Sequence, residues 1–185
     1  MKYRSVLINT ALFAALLAAC AGPEPLPEPG LEIFQHSRNE EMQVAPGVDW
    51  GSYNKIILHN APVAFRENWQ RDQERIKGSA IREADIEMFK TNVSEQLAKV
   101  MRKRITERGD YELTSESGPG VMSFQPNIVD LDIRGPGWVQ DSILESMTNS
   151  RGSMTIEVVI RDSVTDKLLA VAWQDQSDPQ EGYME

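Results

Sequence analysis

The sequence predicts an α+β domain: an antiparallel sheet of about five strands, in the order β-α-β-β-β-β, packed on one long helix. Three observations carry that prediction. Apolar residues recur every three or four positions between Arg82 and Arg108. Beyond Gly109 the pattern changes to alternation, and two alternating runs near the end flank Asp162-Ser163-Val164-Thr165-Asp166, a turn composition. The 185 residues, 41% of them aliphatic or aromatic, suit a single globular domain with a short appendage.

The first strand is expected at Tyr53–Asn60, where Ile56, Ile57 and Leu58 form a short run suited to a buried central position. Residues 31–51 are polar and mixed and read as a connection packed loosely on the domain. Residues 63–80, rich in charge and amide, read as a long loop whose large apolar groups are Phe65 and Trp69. The helix follows over Arg82–Arg108, with Ile86, Phe89, Val93, Leu97, Val100, Met101 and Ile105 on one stripe. Acids at its start (Glu83, Asp85, Glu87) and cations at its end (Lys99, Arg102, Lys103, Arg104, Arg108) complement the helix macrodipole. Glu95 and Lys99 stand one turn apart, Ser79 is a candidate N-cap, and Gly109 suits a C-cap. A short strand at Tyr111 and Leu113 leads through Gly118-Pro119-Gly120 into a longer one over Val121–Ile133. The apolar parity slips by one residue inside that strand, which predicts a bulge, placed here at Pro126-Asn127. Ser153–Arg161 and Lys167–Gln174 close the domain as a hairpin.

The N-terminus reads as an address. Lys2 and Arg4 precede an apolar run from Val6 to Leu17, shorter than the ~20 residues a membrane-spanning helix needs. Leu17-Ala18-Ala19-Cys20 resembles the bacterial lipobox, which implies cleavage before Cys20 and acylation of Cys20. Two or more acyl chains anchor stably, because each buried CH₂ contributes about 0.8 kcal/mol. Ala21, where inner-membrane lipoproteins usually carry Asp, points by the same resemblance to the outer membrane, facing the periplasm. Pro23, Pro25, Pro27 and Pro29 hold the next nine residues, 22–30, near polyproline II, a spacer of roughly 25–28 Å. The expected organisation is a signal peptide over 1–19, lipidated Cys20 and tether over 20–47, one globular domain over 48–177, and a polar tail over 178–185.

Charge and composition exclude several functions. Nineteen basic against 28 acidic residues give −9, and about −11 once Lys2 and Arg4 leave with the signal (17 − 28), opposite in sign to a nucleic-acid binder. One cysteine excludes an intrachain disulfide and a cysteine-rich zinc site. No cofactor is expected. Gly118-Pro119-Gly120 and Gly135-Pro136-Gly137 are turns, because proline removes a donor that a phosphate loop needs. The enzymatic alternative, a periplasmic hydrolase or metal-dependent enzyme, rests on His59 with Asp130 and Asp132, and the Glu40-Glu41 pair adds two carboxylates. The more ordinary reading of Asp130 and Asp132 is the solvent face of an amphipathic strand. The long connection over 134–152 carries Trp138, Ile143, Leu144 and Met147. Long loops of this kind are either functional or disordered. Trp138, Ile143, Met147 and Trp69 are therefore candidates to grip a partner or apolar ligand, or else to plug the domain's own core.

Tyr53-Asn-Lys-Ile-Ile-Leu, Ile81-Arg-Glu-Ala-Asp-Ile-Glu-Met-Phe, Gly118-Pro-Gly-Val-Met-Ser-Phe, Ile128-Val-Asp-Leu and Glu157-Val-Val-Ile-Arg-Asp-Ser-Val-Thr-Asp-Lys-Leu-Leu-Ala run in order along the chain. Together they resemble a bacterial lipoprotein family catalogued as domain of unknown function 3313. The resemblance implies the fold and says almost nothing of activity. Relatives often carry Thr-Gly where this chain has Thr165-Asp166, and they tend to continue into a final amphipathic helix. A sheet edge without such a cover invites pairing with another chain. The expected function is a lipid-anchored, non-catalytic binding or structural module. It would be held to the membrane through acyl chains on Cys20, and its partner would be an envelope protein or a second copy.

Overall fold

The computed structural model describes residues 30–133 and 152–177; Cys20, the tether up to residue 29, Trp138, Ile143, Met147 and the polar tail lie outside them. The strands are β1 (Glu32–His36), β2 (Glu40–Val44), β3 (Lys55–Leu58), β4 (Val63–Phe65), β5 (Glu112–Leu113), β6 (Val121–Ile133), β7 (Gly152–Asp162) and β8 (Leu168–Ser177). The α-helices are α1 (Trp69–Lys77) and α2 (Glu83–Arg108). All eight strands join one mixed sheet in the order β1-β2-β8-β7-β6-β3-β5, with β4 pairing beside β3 on β6. No helix among the described residues is long and apolar enough to cross a membrane.

The α+β class and the long helix stand, but the five-strand antiparallel sheet is corrected to a mixed sheet of eight. The chain from β3 to β6 passes through both helices, which is the length of connection a parallel pair requires. Accordingly β3 runs parallel to β5 and β6, and β4 parallel to β6. The loose connection expected over 31–51 instead forms the hairpin β1–β2 and a 3-10 turn at Trp50–Ser52, so the sheet reaches into the stretch assigned to the tether. The long loop expected over 63–80 contains β4 and α1.

Helix α2 covers one face of the sheet. Ile86, Phe89 and Val93 are buried with Ile128, Leu131 and Ile133, and Leu97 packs at the edge of the same cluster. Met101 and Ile105 close over Ile56, Met122, Ile160 and Ala170. Val100 is half exposed at 47%, so the stripe is narrower than its sequence spacing implies. Gly109 ends the helix at φ +72, a left-handed conformation that suits glycine. Arg82, not Ser79, is the N-cap, and its guanidinium donates two bonds of 2.8 and 2.7 Å to Asp85, drawing the carboxyl below its ordinary range. The i,i+4 pair that forms is Lys103–Glu107 at 3.7 Å, rather than Glu95–Lys99.

Strand β6 has the predicted bounds, and its bulge lies three residues later than expected. Pro126 keeps its register against Val158, whereas pairing with β7 shifts between Val129 and Asp132. Asp130 takes φ +53 there, a conformation that Asp tolerates better than branched residues. The slip returns Leu131 and Ile133 to the face already occupied by Ile128. In the final hairpin Asp166 adopts φ +58, the left-handed backbone that a glycine in its place would also take. Asp162 organises the turn: its Oδ1 accepts from Thr165 N at 2.8 Å, Thr165 Oγ1 at 2.8 Å and Val164 N at 3.1 Å, and its Oδ2 accepts from Tyr53 Oη at 3.0 Å. These donors, Thr165's backbone N–H foremost, hold its carboxyl at about 2. Burial, helped by the Asp162 carboxylate, pushes the Tyr53 phenol above its ordinary value.

Candidate functional site

Alternation in a strand sends every second side chain to the opposite face. On the face turned away from α2, strand register lines up His36, Glu41, Trp173, Glu157 and Asn127 across β1, β2, β8, β7 and β6. The row is joined by hydrogen bonds. His36 Nδ1 lies 2.9 Å from Glu41 Oε2, and Gln43 Nε2 donates to Glu41 Oε1 at 2.6 Å. Trp173 Nε1 donates to Glu157 Oε1 at 3.1 Å, and Asn127 Nδ2 donates to Glu157 Oε2 at 2.8 Å. Glu41 is 8% exposed and Gln43 fully buried. A carboxylate that far from water is tolerated only when its oxygens are bonded, and both are.

At the β1 end of the row the sheet surface sinks into a cleft of about 370 Å³, within the range of small-molecule sites. His36, Arg38, Glu40, Glu41, Trp173 and Asp175 are among its walls. The turn over residues 37–39 forms its rim, closed by Ser37 N donating to Glu40 O at 2.7 Å and tied to β8 by Asp175 N donating to Asn39 O at 2.8 Å. Neutral groups hold the remaining carboxylates: Gln174 Nε2 donates to Glu40 Oε1 at 2.8 Å, and Thr155 Oγ1 donates to Asp175 Oδ1 at 2.6 Å.

Asp132 belongs to the same face but to a different chemistry. It is 6% exposed, which corrects the solvent-face reading for this residue, whereas Asp130 at the bulge is exposed. Arg66, one residue beyond β4, places Nε 3.2 Å from Asp132 Oδ2 and Nη2 3.2 Å from Asp72 Oδ2. The hydrogen bond to Asp72 is the main influence raising the Arg66 guanidinium above its ordinary value. A buried acid and a planar cation thus join β6 to α1. Beside them a depression of about 410 Å³ opens between β4 and the helices, with Arg66, Glu83 and Lys90 on its walls.

The predicted candidates separate. Trp69 is 2% exposed, stacked on Phe65 with centroids 3.9 Å apart, and its Nε1 donates to Ile133 O at 3.0 Å. It packs in the core, the second of the two readings the sequence offers, and it also lines the depression beside β4. His59 does not meet Asp132: its Nε2 lies 2.9 Å from Ser123 Oγ, nine residues back along β6, roughly 30 Å at ~3.3 Å per residue. Among the described residues no three His, Cys, Asp or Glu side chains converge to hold a metal ion. The cleft itself escaped sequence reasoning apart from the Glu40-Glu41 pair. The signal that marks it is the alternation of Glu41 and Gln43 with Met42 and Val44, a strand pattern whose polar parity is buried as well.

No curated protein matches the chain. A family model described as "Protein of unknown function (DUF3313)" matches residues 34–181, from β1 through the last strand, and the chain belongs to that family.

Proposed function

We propose that the protein is a lipid-anchored, periplasm-facing lipoprotein of the outer membrane that acts as a non-catalytic binding module, with the cleft between the β1–β2 turn and β8 as its binding site. The observation that carries this reading is the cleft: polar side chains already fixed by internal hydrogen bonds wait in it without rearrangement, which lowers the ordering cost of binding. Leu17-Ala18-Ala19-Cys20 and the proline-rich stretch support the anchor and a stand-off from the bilayer. Replacing Cys20 by Ala moves the protein from the detergent-extracted membrane fraction to the soluble fraction. Continued detergent-only extraction contradicts the anchor.

A hydrolase reading has one observation in its favour, the 2.9 Å approach of His59 to Ser123. Nucleophilic serines need a base oriented by a third group. Among the described residues no carboxylate bonds to His59. Treatment with a fluorophosphonate leaves Ser123 unmodified on the binding-module reading; stoichiometric labelling of Ser123 by mass spectrometry favours the enzyme.

A further inference from the structure

The geometry points to an organic cation, an alkylammonium or guanidinium group, as the ligand class of the cleft; this inference rests on the binding-module reading above. Three carboxylates line the cleft, those of Glu40, Glu41 and Asp175, against one guanidinium, that of Arg38. Their hydrogen-bond partners are three glutamine amides, a threonine hydroxyl and the imidazole of His36. Among the described residues neither Lys nor Arg forms an ion pair with any of the three. Amide and hydroxyl donors fix the direction of a carboxylate but carry no charge to compensate it, and His36 compensates Glu41 only when its ring is protonated.

That charge is concentrated by its setting. Glu41 is 8% exposed, so its field reaches the cleft through protein rather than water and is screened less than at an open surface. Trp173 forms part of the wall, and an indole attracts organic cations in addition to burying their carbon atoms. A compact metal ion is a poorer match, since no three acidic or histidine side chains converge among the described residues. A cation on a carbon frame spans the separated carboxylates and fills about 370 Å³.

The test is a titration of the full lipidated chain in neutral detergent, following the indole N–H resonances by NMR, with that of Trp173 assigned by its loss in Trp173→Phe. Argininamide and butylammonium produce a saturable shift of the Trp173 signal at millimolar probe or below. The affinity falls at least about tenfold in the double variant Glu40→Gln/Asp175→Asn, and it weakens with added salt. Both substituted residues are exposed, so the thermal midpoint serves as a control that the variant is folded. A lysine-containing tetrapeptide and spermidine form the last arms. Tighter binding of spermidine assigns a free polyamine, and tighter binding of the peptide assigns a side chain of an envelope polypeptide. Equal responses to acetate and to the cations overturn the inference. A saturable response to glucose alone also overturns it while leaving a binding module. No response to any probe removes the binding-module reading as well.

Discussion

Asp132 and Glu41 are both carboxylates more than nine-tenths buried on the same face of one sheet, yet they are held in opposite ways. Asp132 faces the guanidinium of Arg66, which also reaches Asp72 on α1, so its charge is neutralised by a cation and spent on joining two elements. Glu41 is held by a glutamine amide and by a histidine ring that carries charge only when protonated, and among the described residues neither Lys nor Arg pairs with it. The difference separates a carboxylate that serves the fold from one that remains available to a ligand. Burial and an acidic side chain do not make that distinction; the charge of the partner does.

The most damaging way to break the structural end is Trp69→Ala. It removes the stack on Phe65 and the bond to Ile133 O, next to Asp132, and is expected to cost about 3–5 kcal/mol by urea denaturation. A loss under ~1 kcal/mol places the indole outside the core. Asp132→Asn comes next. Its amide oxygen can still accept from Arg66 but carries no full charge, so the buried ion pair is lost at a cost of about 1–3 kcal/mol.

Asp162 sharpens the comparison with a third arrangement, in which the backbone and side chain of a turn and a phenol hold the carboxylate. Its carboxyl sits at about 2 in the fold, below the ordinary value near 3.8. A depressed acid stabilises the fold above its unfolded value, and that stability is lost as pH falls from about 4 toward 2. Asp162→Ala therefore costs about 1–2 kcal/mol at neutral pH and flattens the stability profile in that acid window. An unchanged profile contradicts the turn assignment.

The elements that were legible in the sequence are those whose apolar pattern is one-sided. Helix α2, strand β6 and the last hairpin each carry a sustained apolar periodicity, so spacing alone located them. Strand β2 buries Glu41 and Gln43 on one face while Met42 packs on the other, so alternation no longer separates inside from outside. Helix α1 buries only Trp69 and Gln73, and its Ile76 is 74% exposed, which leaves little periodic signal in a polar stretch. Parallel pairing is invisible locally, because β3 meets β6 only after the chain has passed through two helices. The bulge was legible as a parity slip, but proline drew its placement to 126 when the chain bends at Asp130. The cleft was least legible, since its walls come from four strands and a turn, drawn from segments distant in sequence.

The most direct measurement of the distinction between the two buried carboxylates is the unfolding free energy of Glu41→Gln set beside that of Asp132→Asn. In the former, the new amide oxygen keeps the bond from Gln43, and the new amide nitrogen donates to Nδ1 of the alternate His36 tautomer, so every partner stays satisfied. The expected change is within ~0.5 kcal/mol, well below the loss for Asp132→Asn, and it comes with loss of affinity for the cationic probes. Glu41→Gln destabilising as much as Asp132→Asn, with probe affinity unchanged, contradicts the account.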